Sequence, residues 1–357
     1  MTLQPSLIWA LLALAVAAGG LVWLTDRRAG AREAAAEASY PPEGVLLSVN
    51  GARVHALTRG AGPDLVLIHG ASGNLRDFTF DLMDRLTGEY RVTAFDRPGM
   101  GHSDPHPTDP QSPVAQADTL RAAAGTLGLT APILVGHSYG GAVAMAWALA
   151  ADLEEAPQAP AAIVLLAGAT YPWPGDLGLY YRVMTSRLGQ RLVIPLITAF
   201  APRAQAVSVA EGIFAPQSPP PGYSGHIGIA LSMRRAALRL NALQVDGLKP
   251  YVEAMAPRYP TLSMPIEIVH GTSDTIVGLS IHSERMAAEV PGARLTVLEG
   301  IGHMPHHSAT ESALGAIRRA HERASGGANE RAHEGTRAPA AAPGAEGRSP
   351  AGPAATE

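Results

Sequence analysis

Cysteine is absent from this chain, and lysine occurs once, at Lys249. The first absence excludes disulfides, thiolate metal sites and cysteine nucleophiles, and it leaves the redox compartment open. Charge is also sparse. Charged residues make up 16% of the chain and the net charge is −4, so no basic surplus invites nucleic acid. Aromatic residues contribute only 5%. What is plentiful is apolar: 46% of the 357 residues, enough for a folded body of one large domain or two small ones. No internal repeat occurs.

Charge is missing altogether from Pro5 to Leu24, PSLIWALLALAVAAGGLVWL. As a helix rising 1.5 Å per residue, this run reaches about 30 Å, the depth of a bilayer's hydrocarbon core. Trp9 and Trp23 stand near its ends, where indole rings favour the membrane interface. A cleaved secretory signal is the alternative. Ala15-Val16-Ala17 offers a cleavage pattern, but Met1–Gln4 holds no basic residue of the kind that opens such signals. Arg27, Arg28 and Arg32 follow the span, with Asp26 and Glu33 among them. The positive-inside rule then predicts a single-pass anchor with the main domain in the cytoplasm; signal cleavage would leave that domain secreted or periplasmic. Residues 25–42, rich in Ala, Glu and Arg, read as a linker. Residues 324–357 carry no large apolar side chain and no periodicity, so they read as a disordered tail.

The body, residues 43–323, alternates strand and helix patterns. Val45–Val49 and Arg53–Thr58 flank Asn50-Gly51, a hairpin signal. Leu65–Ile68 is a short apolar run of the kind found in strands buried on both faces. Arg91–Phe95, Ile133–Val135, Ile163–Leu166, Ile266–Val269 and Arg294–Leu298 repeat the theme. Helical patterns lie between them, as at Pro113–Leu127 and Ser280–Glu289. This alternation predicts an α/β fold: a mostly parallel sheet of about eight strands with helices on both faces. Residues 170–264 break the rhythm with many prolines and weak helical stretches, near Leu179–Phe200 and His226–Leu240, and read as a helical cap inserted over one end of the sheet.

One serine stands out. Ser138 follows the apolar run Ile133–Val135 inside Gly136-His137-Ser138-Tyr139-Gly140-Gly141, and an alanine-rich apolar run follows it. G-x-S-x-G between a strand and a helix describes a tight turn that exposes a nucleophilic hydroxyl, with the helix amides behind it facing any developing negative charge. Serine needs a base within reach and an acid to orient that base. In this arrangement the chain order is Ser, then Asp or Glu, then His. Asp274 follows the strand Ile266–Val269, and His303 follows Arg294–Leu298. All three are thus expected at the carboxyl edge of the sheet, where ligands bind in open α/β folds.

Five motifs in order carry a family resemblance: His69-Gly70, DRPGMGHSD (Asp96–Asp104), GHSYGG (Gly136–Gly141), GTSD (Gly271–Asp274) and GHMPH (Gly302–His306). The chain resembles an α/β-hydrolase, from a superfamily that includes esterases, C–C bond hydrolases, cofactor-free haloperoxidases, epoxide hydrolases and haloalkane dehalogenases. The last two carry aspartate where Ser138 stands, which disfavours both activities. The resemblance implies catalysis by Ser138, Asp274 and His303. It also implies an oxyanion hole built from the N–H groups of Tyr139 and of Ala71, where many relatives have a bulky aromatic.

Other residues take blander readings. His69 is expected to brace the oxyanion loop, and Asp96 and His102 belong to a turn motif. His137 points away from Ser138 by alternation. His306 competes with His303 for the role of base; Gly302 and the family match favour His303. His303, His306 and His307 lack the spacing and carboxylate of a zinc site, so neither metal nor cofactor is expected. Arg234, Arg235 and Arg239 read as a solvated helix face. Leu192–Ile197 is expected to pack the cap onto the body, with a substrate pocket or lipid as the alternatives. The function expected is hydrolysis of an ester or related acyl bond in a small, hydrophobic substrate, with C–C bond hydrolysis or perhydrolysis by the same residues as the runner-up. A non-catalytic binding module of this fold would usually have lost a triad residue, and here all three are present.

Overall fold

The computed structural model describes residues 4–154 and 157–335. Eight strands form one sheet: β1 Val45–Val49, β2 Ala52–Arg59, β3 Asp64–Ile68, β4 Arg91–Phe95, β5 Ile133–His137, β6 Ala162–Leu166, β7 Ile266–Gly271 and β8 Ala293–Leu298. Their spatial order is β1-β2-β4-β3-β5-β6-β7-β8. β1 and β2 pair antiparallel, as does β2 with β4; every later pairing is parallel. The expected α/β architecture is therefore present, with its mostly parallel sheet.

Alternation along the central strands sorts side chains to two faces. Val66 and Ile68 of β3, Leu134 of β5, and Ile163 and Leu165 of β6 join one buried cluster with the helices Pro113–Thr126 and Tyr139–Glu154. Leu65, Leu67, Ile133, Val135, Val164 and Leu166 face the other way, onto Leu82–Leu86 and the first half of Thr310–Gly335. Both faces are covered, which is why these strands are uniformly apolar. Glu267 of β7 is one of the polar residues of the sheet. It is buried, and Arg319 and Arg323 of the last helix hold its carboxylate at 3.0 and 2.7 Å.

Between β6 and β7 the chain makes a helical insertion. Leu179–Thr185, a π-turn at Gly189–Val193, Ile194–Phe200, Arg203–Gly212, Tyr223–His226, Ile229–Ser232, Arg235–Asp246 and Leu248–Met255 follow one another. Ile194 is buried with Met184 and Ala242 inside this cap, while Leu192 and Leu196 stay exposed. The hydrophobic run thus packs the cap on one side only.

Two segments differ from the sequence reading. The apolar helix does not stop at Leu24 but runs from Pro5 to Ser39, so residues 25–39 are helical. Ala, Glu and Arg are among the strongest helix formers, and propagation from an existing helix needs no new nucleus. This second half docks on the cap. Arg28 Nε donates to Ala199 O at 2.8 Å, and Arg32 donates to Thr198 O and Ala201 O. Arg235 reaches back to Glu33 and Asp26, and Arg234 to Glu37. Arg234 and Arg235 are therefore docking residues, not a solvated face. At the other end, the helix begun at Thr310 continues to Gly335, past the expected start of the tail; residues 336–357 lie outside the described residues. The first half, Pro5–Leu24, is exposed over its length. By length and composition the helix is able to cross a membrane, with a mean hydropathy of 2.3 in its most apolar window.

Candidate active site

Ser138 follows β5 directly and sits at φ +52°, a left-handed conformation that costs a non-glycine residue about 1–3 kcal/mol. The strain is held by glycine neighbours. A Cβ on Gly136 would fall 2.5 Å from Gly140 O, and one on Gly140 would collide with Ile68 O. The helix Tyr139–Glu154 begins at the next residue, so the Tyr139 amide is among those the helix leaves without an internal acceptor. Gly70 closes on the turn from β3: a Cβ there would lie 3.0 Å from that of Ser138.

The loop after β8 brings His303 to the serine. His303 Nε2 lies 2.9 Å from Ser138 Oγ, and Nδ1 lies 2.7 Å from Asp274 Oδ2 in the loop after β7. With Nδ1–H donating to the carboxylate, Nε2 is free to accept the serine proton. Asp274 is buried, which alone would raise its pKa. Donors from His270 and His303, with the Val277 amide, outweigh burial and hold it far below the usual carboxylate range. Ser138 and His303 are both buried, so the hydroxyl and the imidazole sit away from bulk water.

His270 was not evident from sequence. Its Nε2–H faces both Asp274 Oδ2 and Val277 O, and its Nδ1 accepts from Ser283 Oγ. It gives Asp274 Oδ2 a second donor besides His303. The motif GTSD begins one residue later, and nothing in the spacing marks the histidine before it.

The loop after β3, which carries His69 and Gly70, has its own buried brace. Arg97 donates to His69 O at 2.9 Å and Gly70 O at 3.0 Å, and its other guanidinium nitrogen reaches Gln116 and Gln244. Its guanidinium lies over the Tyr139 ring, 4.4 Å from the centroid. His69 accepts from the Arg97 amide and donates from Nδ1 to Gly70 O, and burial with the nearby Arg97 charge pushes its pKa down to about 4. The expected structural role of His69 is thus shared with Arg97. Asp96 accepts from the Leu75 and His102 amides and from His55.

His306 does not reach the serine. It belongs to a buried group around Asp77, whose carboxylate accepts from His306 Nε2 at 3.1 Å, His307 Nε2 at 2.8 Å and Tyr223 Oη at 2.8 Å. His137 lies beside them and donates from Nε2 to His303 O at 3.0 Å. Its side chain does leave Ser138, as alternation requires, yet it packs against the His303 ring at 5.0 Å. Among the described residues, Asp77, His137 and His306 place ligand atoms within 4.8 Å of one another. The Asp77 carboxylate is already occupied by three protein donors.

Residues 65–314 match the family model for the alpha/beta hydrolase family. The chain belongs to that family. It is a hydrolase. The polyketide synthase ThaQ of Burkholderia thailandensis is 32% identical over 81% of this chain, which spans only 14% of that protein's length. The 2-hydroxy-6-oxo-6-phenylhexa-2,4-dienoate hydrolase of Burkholderia cepacia is 24% identical over 70% of this chain and 85% of its own. Among solved structures, the esterase EaEST from Exiguobacterium antarcticum superposes with a TM-score of 0.63 at 19% identity, covering 78% of this chain and 99% of that one. At that identity the likeness concerns the fold alone.

Proposed function

We propose that this hydrolase cleaves an ester or related acyl bond through an acyl-enzyme on Ser138. The hydrogen-bonded run from Ser138 Oγ through His303 to Asp274 carries the reading. His303 Nε2 takes the serine proton as Oγ bonds to the acyl carbon. Negative charge moves to the carbonyl oxygen, between the amides of Tyr139 and Ala71. When the carbonyl reforms, the bond to the leaving oxygen breaks and that oxygen receives the proton from His303. Water then attacks the acyl-enzyme by the same route, giving up its proton to His303 and releasing the acid and free Ser138. Asp274 stays ionised throughout, fixes the imidazole tautomer and stabilises the imidazolium. No cofactor or metal takes part.

The span Pro5–Leu24 serves as a single-pass anchor, with the catalytic domain on the cytoplasmic side, where Arg27, Arg28 and Arg32 fall. The substrate of such an enzyme is hydrophobic. Each methylene buried from water contributes about 0.8 kcal/mol, roughly fourfold in kcat/KM until the pocket fills. Hydrolysis of p-nitrophenyl esters of graded chain length by the full-length protein in detergent tests this. Rising kcat/KM from acetate to octanoate supports it, and a steady fall contradicts the hydrophobic preference. C–C bond hydrolysis by the same residues is the second reading, favoured by the similarity to the dienoate hydrolase. Turnover of a vinylogous diketone with none of any ester selects it.

A further inference from the structure

The cap segment Leu179–Phe200 has an unusual surface. It contains Arg182, Arg187 and Arg191 and no acidic residue. Between these arginines, Leu179, Tyr180, Leu188, Leu192, Leu196 and Phe200 are 40–69% exposed. Arg187, Gln190, Arg191 and Arg239 line a shallow depression with three guanidiniums and no carboxylate. Exposed leucines and aromatics interleaved with arginines are the composition of helices that lie in a membrane interface, apolar side chains in the acyl boundary and cations at the headgroups.

The position of this segment follows from the docking of the N-terminal helix. Arg28 is hydrogen-bonded to Ala199 O, and its guanidinium lies 5.3 Å from the Phe200 ring centroid. Arg28 is one helical turn beyond Leu24, about 6 Å along the axis. The headgroup layer on one side of a bilayer is about 5–8 Å deep. The contact of Arg235 with Asp26 fixes the two bodies together before that point, and those of Arg32 with Thr198 O and Ala201 O and of Arg235 with Glu33 beyond it. A bilayer crossed by Pro5–Leu24 therefore has its headgroups at the level of Ile194–Phe200.

We propose that Leu179–Phe200 is a second membrane-contacting surface, seated in the headgroup layer of an anionic bilayer beside the span. This rests on the reading of Pro5–Leu24 as an anchor. Leu188, Leu192 and Leu196 enter the acyl boundary, and Arg187 and Arg191 meet lipid phosphates. The cap is then held against the membrane surface at two places.

The absence of cysteine makes the test direct, because a nitroxide can be attached at one introduced site of the full-length chain. The sites are Leu188→Cys and Leu192→Cys in the cap, Leu14→Cys in the span, and Val297→Cys on the edge strand β8. Circular dichroism first checks that each labelled protein is folded. In phosphatidylcholine–phosphatidylglycerol vesicles, the labels at 14, 188 and 192 are expected to collide with dissolved oxygen in preference to a water-soluble nickel chelate, and the label at 297 the reverse. Arg187→Glu with Arg191→Glu should shift the label at 192 toward water. Lipid contact at 14 with water contact at 188 and 192 overturns the second surface and leaves the anchor standing. Shielding of 188 and 192 from both reagents means a protein partner and also overturns it. Water contact at 14 removes the anchor and the proposal together.

Discussion

His307 Nε2 lies 2.8 Å from Asp77 Oδ1, across a separation of 230 residues. A carboxylate from the segment after β3 thereby holds the loop that delivers His303. The same carboxylate accepts from Tyr223 of the cap and from His306. Asp77 thus ties the base loop, the cap and the sheet edge at one buried point.

Asp77→Ala would leave those buried donors without an acceptor. Each buried donor left unsatisfied costs about 1–3 kcal/mol. We expect a comparable loss in chemical denaturation, and a fall in kcat larger than the change in KM, because His303 loses its fixed position. Asp77→Asn keeps one carbonyl oxygen and should fall between. Wild-type stability in Asp77→Ala would contradict the role.

Arg97→Met should act on the oxyanion loop. It removes the donors to His69 O and Gly70 O and leaves Gln116 and Gln244 facing an apolar side chain. Each buried group left unpaired costs about 1–3 kcal/mol. The expected result is lower stability with a fall in kcat of about 10²-fold, the scale of losing one oxyanion donor. An unchanged kcat in a folded Arg97→Met protein would separate this arginine from the site.

Stability should rise with pH between about 4 and 6.5. Burial pushes the pKa values of His69, His282 and His306 from 6.5 down to about 4, and at His69 the Arg97 charge adds to it. His282 shows why: its Nδ1 accepts the Thr170 and Tyr171 amides, which a proton there would exclude. In this window the unfolded chain binds protons that the folded chain refuses, so each histidine contributes a slope approaching 1.4 kcal/mol per pH unit. Asp77 and Asp274, with folded pKa values depressed, add stability that is present above their unfolded values and lost as pH falls lower still. Urea midpoints measured across this range check the sign; a flat profile from pH 4 to 6.5 would contradict it.

Seven of the eight strands were legible because each is either a hairpin arm beside Asn50-Gly51 or a short apolar run covered on both faces; β8, the partly exposed edge strand, was legible only as a short run repeating that theme. Ser138, Asp274 and His303 were legible because each follows a strand with its own local glycine or turn motif. Arg97, Asp77 and His270 were not. Arg97 sits inside a turn motif, and its partners Gln116 and Gln244 are 19 and 147 residues away. Asp77 meets His306 and His307 across some 230 residues, a pairing that no local periodicity encodes. The helical continuation through Ser39 did leave a signal, the Ala, Glu and Arg content of residues 25–39, but its docking depends on Arg234 and Arg235 some 200 residues on. Those arginines look like solvated charges until the two helices meet.

His303→Ala and Asp274→Asn are each expected to lower kcat by about 10⁴-fold, with little further loss on top of Ser138→Ala, because the three act as one unit. Steady-state kinetics of the single and double variants checks this. His306→Ala should retain far more activity than His303→Ala; the reverse order would move the base to His306.

Labelling by a fluorophosphonate probe tests the acylation of Ser138 most directly. The probe forms a covalent adduct only with a serine activated for attack. Wild-type protein should be labelled, with the adduct mapping by mass spectrometry to the peptide that contains Gly136–Gly141, and Ser138→Ala should stay unlabelled. Equal labelling of the two proteins, or an adduct on another residue, would contradict the assignment of Ser138 as the nucleophile.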